Sequence, residues 1–427
     1  MHTAVALTLT STVSYALGLL RDKIFAYQFG ASSELDIYNA AFVIPDLFLA
    51  LLVTGALSAA FVPIFSRLAH HDKQRSILYT NQILTFCLML LMVFAGVFAL
   101  ILPQLVDFLV PGFDPAQKLE YIRVTRLMLI SPFIFTVSNT FGNILVTTKD
   151  FLWYGLSPIL YNLGIIIGIF FFAPHYGVIG LVMGTILGAL FHLAIRLPSI
   201  VRYGYRPRLI LTFDAELRKT LLRMAPNMVQ IGVWQLSLWW FVRLASQLGD
   251  GSVTIYSFAR NFQSLPVSLI GIATALAAFG ELSRIAARED FEGFKKVVKE
   301  KSLIIVGYTT LAAIALAIVS RPLVAILLGG GKFDAAAVAA TAALLTVYTL
   351  AIPFESMVHL LARAHYALHN TLRPALIQIS TIALAMGLSW YFLDEIGLYA
   401  IPVGFASGLV LQSALLTGSL VQVVRKS

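Results

Sequence analysis

Apolar stretches long enough to cross a bilayer, roughly 20 residues each, follow one another along the whole chain. Short clusters of charge, proline and glycine separate them. Strand-like alternation is absent over any useful length. The hydrocarbon core has no water to satisfy backbone groups, so stretches of this kind read as helices. The pattern predicts twelve, at about 3–29, 36–65, 76–102, 117–147, 155–173, 177–197, 220–248, 252–283, 302–320, 336–362, 374–393 and 396–422. Pro103, Pro111, Gly112 and Pro115 punctuate one loop, and Gly329, Gly330 and Gly331 another.

Composition agrees. Of 427 residues, 59% are hydrophobic and 12% charged, where a soluble domain carries about 25% charged residues. The opening stretch "MHTAVALTLTSTVSYALG" has no basic start and no small-residue cleavage site, so it reads as a first membrane helix and not a signal peptide. The single cysteine, Cys87, excludes an internal disulfide and a multi-cysteine metal site.

The formal net charge of +9 is explained by position. With the N-terminus inside, 21 of the 30 Lys and Arg residues fall in inside segments, and only Lys118, Arg321 and Lys332 fall outside. That asymmetry predicts both termini in the cytoplasm and needs no nucleic-acid partner. Arg21, Lys23, Arg123, Arg126, Arg243 and Arg260 remain, all within predicted helices. A charge at the bilayer centre costs about 2.5–3.5 kcal/mol on insertion scales, so such residues normally face a bundle interior or a wet cavity.

The chain also looks doubled. "ALSAAFVPIFSRLA" (Ala56–Ala69) ends the second helix, and "ATALAAFGELSRIA" (Ala273–Ala286) ends the eighth, 217 residues later. The predicted organisation is an all-α polytopic membrane protein of two pseudo-symmetric six-helix lobes. Residues 1–200 form the first lobe, 201–219 a basic cytoplasmic linker and 220–427 the second lobe. Parallel repeats of this kind occur in transporters that bind substrate near the midplane.

Ser14, Gly18, Arg21, Phe25 and Gln28 recur at spacings of four and three and share one helical face. Arg21 lies roughly 13 Å below the outer end near Gly30, close to mid-bilayer. Asp22 sits about 100° around the helix, so it is expected to pair with another helix; the competing reading is a buried Arg21–Asp22 pair that only fixes packing. Arg126 is the deeper of two arginines on the fourth helix, and Arg123 and Arg243 are placed to snorkel. For Arg260 a cavity role and a structural ion pair stand level. The expected buried acids are Asp22, Asp46 and Glu355, with Asp36 opening the second helix. Asp46 follows Pro45 and marks a bent or broken helix. The surplus of buried positive charge favours an anionic substrate, and arginine suits phosphate because its planar fork donates two charge-assisted hydrogen bonds. No His, Glu or Cys cluster has metal-ligand spacing, and "GGGKFD" (Gly329–Asp334) lacks the spacing of a phosphate loop.

The first hairpin, "LGLLRDKIFAYQFGASSELDIYNAAFVIPDLFLALLVTGALSAAFVPIFSRL", resembles the MurJ/MviN family of lipid II flippases, within the multidrug/oligosaccharidyl-lipid/polysaccharide exporter superfamily. "TRLMLISP" (Thr125–Pro132), "LSPILYN" (Leu156–Asn162), "ASQLGDGSVTIYSFARNFQSLPVSLIGIA" (Ala245–Ala273) and "RAHYALHNTLRP" (Arg363–Pro374) extend the resemblance along essentially the whole chain. It implies a MATE/MurJ-like fold working by alternating access, with a cationic cavity that holds a lipid diphosphate. On it, Arg21, Arg260 and Arg126 are the phosphate-binding candidates. Ser14, Asp22, Asp36, Asp46 and Glu355 are the gating or supporting ones.

The sequence departs from the family pattern. Tyr15 stands where an arginine is usual, Leu49 and Ala50 are apolar where another is usual, and Thr54 replaces a glutamate. Twelve helices are expected against a usual fourteen, and the missing pair is linked to a groove for the lipid tail. The implied activity is movement of a polyprenyl-diphosphate sugar, lipid II first, from the inner to the outer leaflet of the bacterial cytoplasmic membrane. Another lipid-linked oligosaccharide, or a small molecule of the same superfamily, is the alternative. No catalytic residue, metal or cofactor is expected. Membrane potential and a sodium or proton gradient are the candidate driving forces. Membrane lipids and cell-wall synthesis proteins are the expected company. A cation exporter would need a more acidic cavity, a scaffold would tolerate loss of both arginines, and a glycosyltransferase would need an acidic loop at the membrane face.

Overall fold

The computed structural model describes residues 2–51 and 56–426. Among them the architecture is helical, and strand-like pairing is limited to an isolated bridge between Gly330 and Phe333. The chain divides into two compact units, Met1–Trp239 and Trp240–Ser427.

The first unit holds α1 (His2–Phe29), α2 (Ser33–Leu49), α3 (Ala56–His71), α4 (Lys73–Leu109), α5 (Pro115–Thr147), α6 (Phe151–Tyr176) and α7 (Val178–Tyr203). α8 (Ala215–Ser246) crosses the division between the units. The second unit continues with α9 (Ser252–Ala286), α10 (Phe291–Leu327), α11 (Ala335–Ala367), α12 (Leu372–Tyr391) and α13 (Leu393–Val424). Nine of these helical stretches among the described residues are long and apolar enough to cross a membrane. The helix expected over 36–65 is described as two pieces, α2 and α3, and Thr54 lies outside the described residues.

Helix starts follow their capping residues. Asp72, Asp114, Asp290 and Asp334 each accept a backbone N–H three residues on, and at Asp114 the side chain of Gln117 completes a capping box. The helix carrying Pro45 continues to Leu49 and then breaks into a π turn at Ala50 and Leu51; Pro266 precedes a longer one at Val267–Ile272. Proline removes a backbone donor, and a π turn is one way a helix absorbs the mismatch.

The doubling is visible in local geometry. Lys149 (φ 60°) and His369 (φ 56°) end equivalent helices 220 residues apart, and both adopt a left-handed backbone. Gly177 and Gly397, again 220 apart, share φ 56° and ψ near −134° at the corners that open α7 and the long part of α13. Both units also contain a close two-helix seam. In α6 and α7, Gly164, Gly168, Gly184 and Gly188 bring backbone against backbone. In α12 and α13, Gly404 and Gly408 approach Ser389, Ala385 and Thr381. Small residues are what allow such contact between membrane helices.

Candidate functional site

α1 packs against α6, and this contact holds the first charged cluster. Arg21 Nε and Nη2 donate to Asp22 Oδ1 at 3.0 and 2.7 Å, and Nη1 donates to Asn162 Oδ1 of α6 at 3.0 Å. Asn162 Nδ2 in turn donates to the Pro158 carbonyl at 3.1 Å and the Ser14 carbonyl at 3.5 Å. Tyr38 and Tyr161 lie within electrostatic range of the guanidinium. The expectation that Asp22 pairs with another helix is corrected: its partner is its own neighbour, Arg21. An aspartate is short, whereas an arginine is long enough to fold back along its own helix and reach the nearest counter-charge. The cluster is only partly covered, with 24% of the Arg21 side chain exposed.

The second cluster joins α9 to α11. Arg260 Nη2 donates to Glu355 Oε1 at 2.8 Å, and Nη1 donates to Gln263 Oε1. Gln263 Nε2 donates to the other carboxylate oxygen, Glu355 Oε2, at 2.9 Å. The guanidinium also stands over the Phe405 ring, 4.9 Å from its centroid. A short 3-10 turn at Thr349–Ala351 interrupts α11, and Glu355 falls in the first turn of the helix that restarts at Ile352. A carboxylate is stabilised at that end by the helix dipole. The Glu355 side chain is 8% exposed, so this cluster is the more enclosed of the two.

The remaining candidates are dispersed. Arg126 is exposed, and its Nε donates to the Ala99 carbonyl of α4 at 2.9 Å. Arg123 is 60% exposed beside Glu120, and Arg243 stands over the Trp240 ring. Asp36 is buried in the first turn of α2, capped by Ser32. Asp46, expected to be buried, is exposed beside Pro45, and its backbone carbonyl accepts from Gln235 Nε2 at 3.4 Å. The Ser14 carbonyl, not its hydroxyl, makes its contact with Asn162. Tyr15 is exposed, and Leu49 packs against the apolar core of the first unit.

Sequence reasoning missed three residues. Asn162 and Gln263 complete the two arginine clusters, yet a lone amide in a helix gives no warning. Arg196, counted among the inside basic residues, is buried at the end of α7. Its Nε donates to Ser157 Oγ at 2.8 Å, Nη1 to the Ser138 carbonyl, and Nη2 faces His192 Nε2 at 3.4 Å. Tyr154 lies beneath the guanidinium. The spacing His192–Arg196, one helical turn, is the signal that was available. Among the described residues no group of three or more His, Cys, Asp or Glu is placed to hold a metal ion.

A two-unit helical membrane protein with an arginine–carboxylate pair set within the helices of each unit is the architecture of a carrier. Solved structures share the fold. A lipid II flippase MurJ in an inward closed conformation superposes with a TM-score of 0.84 at 21% identity, covering 97% of this chain and 87% of that one. An inward-facing multidrug resistance MATE family transporter of the MOP superfamily gives 0.79 at 13% identity, covering 99% and 98%. In sequence, the lipid II flippase MurJ of Burkholderia cenocepacia is 28% identical over 427 residues, covering 97% of this chain and 82% of that protein. The profile of the family described as "Lipid II flippase MurJ" matches residues 25–426. The chain belongs to the MurJ family.

Proposed function

We propose that the chain moves a polyprenyl-diphosphate-linked sugar, lipid II in first place, from the inner to the outer leaflet of the bacterial cytoplasmic membrane by alternating access. The observation that carries the reading is the pair of intramembrane arginines in a MurJ-family chain, each already holding a carboxylate. A diphosphate presents the same fork-compatible oxygens as a carboxylate, with more charge. Arg21 and Arg260 bind it by exchanging partners: Asp22 or Glu355 is released as a phosphate oxygen takes the guanidinium. Arg126 serves as a peripheral contact, and Ser14, Asp36 and Asp46 support the moving helices.

Such an exchange explains how binding shifts a conformational equilibrium. A ligand moves the balance only by its differential affinity for the two states. A carboxylate that pairs with arginine in one state and is displaced in the other supplies that difference. No bond is made or broken, so the protein acts as a transporter and not an enzyme. Both termini lie in the cytoplasm on this reading, because basic residues concentrate on that side. Membrane potential or a sodium or proton gradient drives the cycle, and cell-wall synthesis proteins are its neighbours.

Complementation tests the function. A bacterium depleted of its resident lipid II flippase is given this chain, with membrane levels checked. Rescue of growth is the expected result. Failure of a well-expressed wild type overturns lipid II as the substrate and turns attention to other lipid-linked oligosaccharides, a reading favoured by the exposed Tyr15 and apolar Leu49.

A further inference from the structure

Between α7 and α8 the chain does not simply loop. Gly204 (φ 80°) ends α7 in a left-handed cap, and residues 206–214, "RPRLILTFD", run extended along the first turns of α4. Side chains of α4 hold this strap by its backbone. Asn81 Nδ2 donates to the Arg206 carbonyl at 3.0 Å, and its Oδ1 accepts from Arg208 N at 3.0 Å and from the Tyr205 hydroxyl at 2.5 Å. Thr85 Oγ1 accepts from Ile210 N at 3.0 Å, and Gln82 Nε2 donates to Thr212 Oγ1 at 2.8 Å.

An extended chain sends alternate side chains to opposite sides. Here the alternation sorts chemistry. Arg206, Arg208 and Ile210 line a cavity of about 590 Å³ with Gln74, Ile77, Leu78 and Asn81 of α4. Leu209, Leu211 and Phe213 point the other way and are 83%, 77% and 62% exposed. Neither Arg206 nor Arg208 has a carboxylate within 4.0 Å among the described residues, and the Lys73 ammonium lies near the cavity mouth beside Gly204. α4 has 37 residues and is about 55 Å long, well beyond the roughly 30 Å hydrocarbon core, so its extra turns reach the headgroup layer.

We propose that this strap is a binding site for an anionic glycerophospholipid: Arg206, Arg208 and Gln74 take the headgroup phosphate, and Leu209, Leu211 and Phe213 enter the acyl layer. Two exposed guanidinium groups side by side along an open cavity, with no carboxylate within 4.0 Å among the described residues, attract an anion. The exposed apolar row beside them demands a membrane. A phospholipid satisfies both with one molecule. The strap's backbone is fixed by α4, so the site is largely formed before the lipid arrives.

The test uses the purified full chain in phosphatidylcholine nanodiscs, with and without phosphatidylglycerol. Arginine-specific modification is followed by mass spectrometry. Phosphatidylglycerol is expected to slow modification of Arg206 and Arg208 at least about fivefold and to leave Arg288, exposed on the second unit, unchanged. No protection, or equal protection of Arg288, overturns the proposal. Equal protection by inorganic phosphate without phosphatidylglycerol also overturns it, assigning the cavity to a free anion. In native mass spectrometry, Arg206→Gln with Arg208→Gln is expected to lower phosphatidylglycerol retention roughly tenfold or more, while Arg288→Gln with Lys299→Gln retains it. If the first double variant does not fold, the footprint on the wild type decides alone.

Discussion

The two arginine clusters use the same parts in different ways. Each has a guanidinium, a carboxylate, a carboxamide and two nearby tyrosines: Tyr38 and Tyr161 in the first, Tyr256 and Tyr348 in the second. In the first unit the acid is the next residue on the same helix, so the ion pair itself joins no two helices; within the cluster it is Asn162 that ties α1 to α6. In the second unit Glu355 lies on a different helix, and both its oxygens are held. The first cluster neutralises its charge within one helix. The second is a clamp between helices. The clusters also ignore the internal repeat. At a spacing of about 220 residues, the counterpart of Arg260 falls near Asn39 and that of Arg21 near Phe241. The repeat sets the scaffold, and the charges are placed on it asymmetrically.

The clamp should be the more sensitive to breakage. Glu355→Ala takes the carboxylate from Arg260 in an enclosed site and leaves it only neutral company such as Gln263, and removing one partner of a buried pair costs about 3–5 kcal/mol. Asp22→Ala leaves Arg21 with Asn162 and partial exposure, and about 1–3 kcal/mol is expected. Thermal unfolding of the purified chain, wild type against each variant, checks the order. Equal losses would dissolve the distinction between the clusters.

The repeat supplies a second comparison, with a somewhat smaller effect. A Cβ on Gly168 meets the backbone of Gly184, which cannot move aside. Gly168→Ala is expected to destabilise the first unit by about 1–3 kcal/mol. Gly408→Ala meets a side-chain Cβ of Ala385 as well as the Thr381 carbonyl, so the penalty in the second unit should fall in the same range. The same unfolding measurement applies, and a neutral Gly168→Ala would contradict the close seam. Smallest of all is Arg126→Ala. Its side chain is exposed and makes one contact with a carbonyl, so stability should stay within about 0.5 kcal/mol of wild type.

How much of this could be read in advance follows from what is anomalous in lipid. Arg21 and Arg260 stand out because a charge in an apolar run requires a reason. The helix expected to bend or break near Pro45 is interrupted only five residues later, at Ala50 and Leu51. Asn162 and Gln263 were not legible, because a carboxamide is tolerated in many helix positions and only its three-dimensional neighbours reveal its task. Arg196 was hidden by its place at a helix end, where basic residues are ordinary. Asp22 was misread because helical angle alone ignores how far an arginine can fold back. Residues 206–214 passed as a basic linker, although their alternation of arginine and apolar side chains was there in the sequence.

The central claim is that Asp22 competes with the substrate diphosphate for Arg21. Binding of lipid II to purified wild type, Asp22→Asn and Arg21→Ala, each confirmed as folded, tests it most directly. Asp22→Asn removes the competing charge and keeps the shape, so affinity should rise by roughly tenfold, while Arg21→Ala should lower it by a similar factor. If Asp22→Asn binds no better than wild type, or is as weak as Arg21→Ala, the carboxylate is not a competitor and the exchange is wrong.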